Sequence, residues 1–179
     1  MLVVASVLAS AAVLAQGTVT SADLLKPSGA SWPMYNGDYS GRRFSPLTRI
    51  DTSTVSSLTL AWVYRPNPGN APAGGGGQTV VTIKGTPVVA NGVMYVSIPD
   101  HLWAVDARSG RELWHATWEG DESDIRRIDP ENGAVLERLE MPRGAFVSGL
   151  ESDGADLFYA GGGASGKVRA VRRPKRTRK

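Results

Sequence analysis

Two histidines, His101 and His115, are the side chains of this 179-residue chain best suited to move a proton near neutral pH. A catalytic base needs a partner placed by the fold. No Ser-His-Asp spacing stands around either residue, and each lies near the end of a strand-like run. Both are expected at a surface or a sheet edge, without a catalytic role. The chain has no cysteine. That excludes disulfides, thiolate zinc sites and cysteine nucleophiles. Two histidines are also too few for a multi-histidine metal centre.

Three further clusters invite a chemical reading. Gly161-Gly162-Gly163-Ala164-Ser165-Gly166-Lys167 follows the strand-like DLFYA and matches most of a phosphate-binding loop. Such a loop needs Ser or Thr next, to reach Mg²⁺, and then a helix whose amino end faces the phosphate. Val168 stands there instead, and VRAVRRP alternates like a strand, so a glycine-rich hairpin loop is the expectation. Glu119, Asp121, Glu122 and Asp124 form an acidic run. Calcium needs a cage of about 6–8 oxygens, and the spacing does not match the helix–loop–helix calcium motif. The run reads as a solvated linker. Trp103, Trp114 and Trp118 alternate with polar residues and read as packing between sheets. The residues therefore assign no catalytic group and no metal ligand, and leave any cofactor-binding residue unknown.

The net charge of +3 hides an asymmetry. All seventeen acids precede Lys167, and eight of the twenty Lys and Arg residues lie at 167–179. The body is mildly acidic and the end, residues 172–179, is a basic tail. Such a tail can meet phosphates or an anionic lipid surface through counterion release. No aromatic or groove element accompanies it, so no specific nucleic-acid partner is expected.

These residues must be positioned by sheets. Residues 2–15, LVVASVLASAAVLA, are apolar and too short to span a bilayer comfortably. With small residues before Gln16, residues 1–22 are expected to be a secretory signal peptide. Residues 28–49 are turn-rich and carry Trp32, Tyr35, Tyr39 and Phe44. SLTLAWVYR (57–65) alternates and reads as a strand, and 66–78 as a Pro/Gly loop. TVVTIKG (79–85) and TPVVANGVMYVSI (86–98) follow. Asn91-Gly92 between apolar runs signals a hairpin, because a type I′ turn needs positive φ at both central residues. HLWAVDA, RELWHATW, RRIDP, GAVLERLEMP, FVSGLESDG, DLFYAGG and KVRAVRRP continue as short strands split by turns. Sustained helical periodicity is absent after the signal, and the chain reads as all-β.

Two stretches repeat. VDARSGRELW begins with Val105-Asp106, and IDPENGAVLE begins with Ile128-Asp129. In both, an apolar residue and Asp precede Ser or Asn, then Gly. The Asp caps the turn and Gly supplies the positive φ. This is the outer hairpin of a β-propeller blade. Asp129 follows Asp106 at roughly half the ~40–50 residues of a four-stranded blade. Half a blade is missing between them.

SWPMYNGDYSGRRFSPLTRID, LAWVYR and IKGTPVVANGVMYVSIPDHLWAVDARSGRELWHATW, across residues 31–118, resemble the amino-terminal part of the pyrroloquinoline quinone (PQQ)-dependent, or quinoprotein, alcohol dehydrogenases. The stretch from Ala104 to Trp114 is similar to that family's tryptophan-docking motif. The resemblance implies an eight-bladed propeller exported to the periplasm. It also implies PQQ and a calcium ion as cofactors, a small alcohol as substrate and a cytochrome as electron acceptor. Residues 126–174 more weakly resemble a repeat of glutamine-cyclotransferase-like propellers. The family's quinone-site Glu is replaced by Lys84 in Lys84-Gly85-Thr86-Pro87, and its adjacent Cys pair is absent. No residue carries over as a quinone or calcium ligand.

The fold expected is an incomplete β-propeller of about two to three partial blades. Its parts are a signal at 1–22, a quinoprotein-like segment at 23–118, a junction at 119–127, a second propeller-like repeat at 128–171 and the tail at 172–179. The expected function is that of a piece of an exported PQQ-dependent alcohol dehydrogenase-like oxidoreductase, inactive alone because an open stack has no central funnel. The alternatives are a non-catalytic β-propeller binding fragment, or a broken-gene product whose basic tail meets anions.

Overall fold

Short antiparallel meanders, one after another, make up the described residues between Val88 and Arg172. The structure is a computed structural model that describes residues 19–26, 29–67, 83, 85–118, 124–141, 147, 149–152, 155–161 and 166–173. Residues 1–18 of the expected signal peptide, Lys84, the Pro/Gly loop from 68 on and the tail beyond Arg173 lie outside the described residues, as does most of the strand expected at 79–85 and of the junction.

Nine strands are present among the described residues: β1 (Val88–Ala90), β2 (Val93–Ile98), β3 (His101–Asp106), β4 (Glu112–Thr117), β5 (Asp124–Ile128), β6 (Val135–Glu140), β7 (Gly149–Ser152), β8 (Leu157–Gly161) and β9 (Val168–Arg172). They form three sheets in strict chain order: β1-β2-β3-β4, β5-β6 and β7-β8-β9. All pairs are antiparallel. A four-residue helix at Ser21–Leu24 and a 3₁₀ turn at Val55–Ser57 are the helical pieces among the described residues.

Local chemistry fixes the turns. Asn91 (φ 51°) and Gly92 (φ 79°) both take the left-handed conformation between β1 and β2, as the hairpin signal requires. The two repeated turns share their pattern of bonds. Asp106 Oδ1 accepts from the Ser109 and Arg108 amides at 2.7 and 3.1 Å, and Asp129 Oδ1 accepts from the Glu131 amide at 2.8 Å. Gly110 and Gly133, at φ 72° and 78°, each donate their amide back to the carbonyl of that Asp at 2.9 Å. Each hairpin carries a register irregularity, between Ala104 and Val105 in one and between Arg127 and Ile128 in the other.

One expected strand is corrected. Residues 57–65 form no strand: the 3₁₀ turn occupies Val55–Ser57 and the chain beyond runs without a ladder. The alternation is real, since Trp62 and Tyr64 are half-buried while Leu60 and Val63 are exposed. A strand also needs a neighbour to take its backbone groups, and none pairs with this segment among the described residues.

The core has two parts. In the first sheet Trp103, Ala104 and Val105 are fully buried, with Val93 and Val96 beside them. The second part joins the other two sheets: Ile125, Leu139, Met141 and Ala160 pack together, flanked by Val147, Phe158 and Val171. The fold is all-β, built of partial blades: four, two and three strands. The two-stranded sheet holds only the Asp129 hairpin, which is where the repeat spacing leaves half a blade out.

Candidate functional site

Strand register brings the two histidines together. Trp103 pairs with His115, and His101 stands two residues before Trp103 on β3, so all three side chains share one face of the first sheet. His101 Nδ1 lies 3.0 Å from His115 Nε2. The rings form a parallel array. His101 and His115 stack on Trp103 with centroids 5.3 and 4.6 Å away and planes 9° and 12° apart. His101 is only 8% exposed, which corrects the expectation of a surface or edge position. A local reading of the sequence missed the pair because fourteen residues and a tight turn separate the two rings. The residue alternation His101-x-Trp103 facing His115-x-Thr117 is the signal that carries it.

Burial, then the neighbouring His101 ring, holds His115 below the ordinary histidine range, and the Glu112 carboxylate works against them. Glu112 accepts a hydrogen bond from the Tyr64 hydroxyl. Burial and this carboxylate push the Tyr64 phenol well above its usual value. Trp103 Nε1 is buried with no hydrogen-bond partner. The pair has no nucleophile and no third orienting group, so it is no hydrolytic triad.

The remaining candidates resolve into structural roles. Gly161 and Val168 pair across β8 and β9, so the glycine-rich run links antiparallel strands, and a helix does not follow it. Asp124 does not face solvent: its side chain is 2% exposed and holds Arg126 and Arg138 at 2.7 Å. Glu119, Asp121 and Glu122 lie outside the described residues. Arg126 in turn covers the Trp118 ring, 5.0 Å from its centroid. Arg172 and Arg173, at the head of the basic tail, are engaged with Asp156 and Glu137.

Two other tryptophans dock on glycine turns, and Trp114 joins the first sheet to the second. Trp114 projects from β4 and donates to the Pro130 carbonyl at 3.0 Å. Its ring presses on Gly133, where an added Cβ would sit 2.8 Å from it. Trp62 does the same to Gly110, with 2.6 Å left for a Cβ. The Trp62 contact was not anticipated; its mark in the sequence is a Trp inside an alternating run ahead of an Asp-x-x-Ser-Gly turn.

Successive antiparallel meanders, with Trp114 of one sheet docked on the glycine turn of the next, are the arrangement of a β-propeller. Residues 32–139 match the family described as PQQ, the glucose/ethanol/alcohol dehydrogenase β-propeller domain, and the chain belongs to that family. The match runs through residues 119–127 and into β6, as far as Leu139. Over 98 residues, 54% of this chain, it is 35% identical to the quinoprotein glucose dehydrogenase of Escherichia coli (strain K12). Over 88 residues, 49% of this chain, it is 33% identical to a 1-butanol dehydrogenase (cytochrome c) of Thauera butanivorans. The chain spans 12% and 11% of the length of these two relatives. The solved quinohemoprotein alcohol dehydrogenase ADHIIG of Pseudomonas putida HK5 superposes with a TM-score of 0.63 at 22% identity. That likeness in fold covers 88% of this chain and 27% of the other.

The family is one of PQQ oxidoreductases. The described residues do not themselves offer a side-chain cage for a calcium ion. No group of three or more His, Cys, Asp or Glu converges among them. Asp124, a buried carboxylate, is already held by two arginines.

Proposed function

We propose that this chain is a segment of an exported PQQ-dependent alcohol dehydrogenase-like oxidoreductase of the periplasm, and that it does not turn over substrate by itself. The observation that carries the reading is the docking of Trp62 and Trp114 on Gly110 and Gly133 within the matched residues. The Trp114 contact sets the second sheet against the first, the step by which a propeller is built up toward a ring, and Trp62 pins the segment ahead of the first sheet to its outer turn. In the whole protein PQQ, with calcium, would accept the electrons of a small alcohol and pass them to a cytochrome. This segment's own residues supply wall and spacing: the tryptophans set the sheet-to-sheet distance, and the Asp-capped turns hold the loops at one end of each blade.

Geometry supports inactivity of the chain alone. The described residues supply sheets of four, two and three strands, and a funnel able to enclose a redox ring needs a closed ring of blades. The test is dye-linked oxidation of ethanol or methanol by the purified chain loaded with PQQ and Ca²⁺. No turnover and no retained quinone are expected; bound quinone with turnover overturns the reading.

A second role, contact of residues 172–179 with an anionic surface, rests on their charge. Two of these arginines already hold Asp156 and Glu137; the rest of the charge is that of Lys175, Arg176, Arg178 and Lys179. Sedimentation with phosphatidylserine vesicles at rising salt tests it, against a chain ending at Arg173. Equal binding by both chains removes this role.

A further inference from the structure

Neither blade stacking nor the proposed redox role uses the contact between His101 and His115. At 3.0 Å one facing nitrogen donates and the other accepts. The contact therefore counts protons. A neutral pair satisfies it. A pair with one added proton also satisfies it, by a charge-assisted bond. A pair with two added protons has hydrogen on both facing nitrogens and two like charges in contact, so the bond is lost.

We propose that His101 and His115 form an acid-sensitive latch over Trp103, closed while the pair carries at most one added proton and opened by the second. Opening separates the outer strand β4 from the first residue of β3, at the end of the sheet where His101 pairs with Thr117. It uncovers Trp103, which is fully buried when the stack is closed.

The surroundings set the direction. On β4 the Glu112 carboxylate draws a proton toward His115, and burial and His101 oppose it more strongly. Tyr64 in the overlying segment occupies that carboxylate, and Arg65 follows it. On β2, the other neighbour of β3, Tyr95 pairs with Ala104 and so lies on the opposite face. Asp100 adjoins His101 in the turn. Because His115 takes a proton less readily folded than unfolded, its contribution to the stability of the closed stack is fully present above pH 6.5, the ordinary histidine value. That stability is lost as the pH falls below it.

The experiment is an NMR titration of the two imidazole Cε1 protons in the full chain from pH 8 to 4. H101Q and H115Q assign the signals. Tryptophan emission of the parent chain minus that of W103F is recorded in parallel. Two midpoints about one pH unit or more apart are expected, as for coupled sites. The His115 midpoint should rise toward 6.5 in H101Q, and Trp103 emission should shift with the second step. Coincident midpoints in the parent chain, or Trp103 emission flat through the second step, overturn the latch. Should H101Q fail to fold, the parent titration and its emission still decide.

Discussion

The indole of Trp114 rests on the backbone of Gly133 and gives its Nε1 hydrogen to the Pro130 carbonyl, 3.0 Å away. One side chain from β4 thereby reads two features of the next turn: a residue without a side chain and a backbone acceptor. Tyr95 stands beside it, its ring 6.0 Å from the indole, with its hydroxyl toward the same carbonyl at 3.4 Å.

Removing that indole should loosen the first sheet from the second. Trp114→Ala is expected to cost about 2–4 kcal/mol, from lost contact area and a lost hydrogen bond. Trp114→Phe keeps part of the ring contact and should cost about half as much. Urea unfolding followed by far-ultraviolet circular dichroism checks the order, and equal midpoints for both variants would show that the ring does not dock the sheets.

Glycine substitutions separate strain from collision. Gly92 has φ +79° and open space around it, whereas Gly133 has φ +78° and the Trp114 ring 2.8 Å from where a Cβ would stand. Gly92→Ala should cost about 1–2 kcal/mol, the left-handed penalty of an L residue. Gly133→Ala should cost at least ~1 kcal/mol more, because the indole must also move. Thermal midpoints of the two variants, measured side by side, give the difference.

Asp124 anchors the second sheet by charge. With its side chain 2% exposed between Arg126 and Arg138, Asp124→Ala leaves two guanidinium groups facing a void. A loss of about 3–5 kcal/mol is expected for breaking a buried pair from this side. Arg138 is half exposed, so Arg138→Ala should cost under about 1 kcal/mol. Chemical denaturation of both variants, with the ordering Asp124 far above Arg138, is the check.

Two carboxylates make stability fall in acid. The Ser109 hydroxyl and amide hold Asp106 below its ordinary 3.8, and the Arg173 guanidinium holds Glu137 below its ordinary 4.5. A carboxyl that binds its proton less readily when folded stabilises above the unfolded value, and that stability disappears as pH drops through the folded one. Melting temperature should therefore fall from about pH 4.5 downward through Glu137, and from about pH 3.8 through Asp106. Glu137→Gln and Asp106→Asn should each flatten the decline in its own window, and an unchanged slope in either variant removes that residue from the account.

The sequence by itself determined the turns and, with them, which neighbouring strands pair as hairpins. Asn91-Gly92, Ser109-Gly110 and Asn132-Gly133 place a positive φ at the glycine of each turn, and the apolar runs on either side can then only fold back on each other. The matching of VDARSG with IDPENG exposed the blade repeat, and its short spacing marked half a blade as missing between the two turns. Tertiary structure decided what depends on a distant neighbour. SLTLAWVYR has a strand's alternation and no ladder, because backbone bonds need a second chain segment alongside. His101 is buried against His115, and Arg173 reaches Glu137, because packing brings together groups that lie far apart along the chain. A φ angle is set within a few residues, whereas a contact between elements is set by where the whole chain comes to rest.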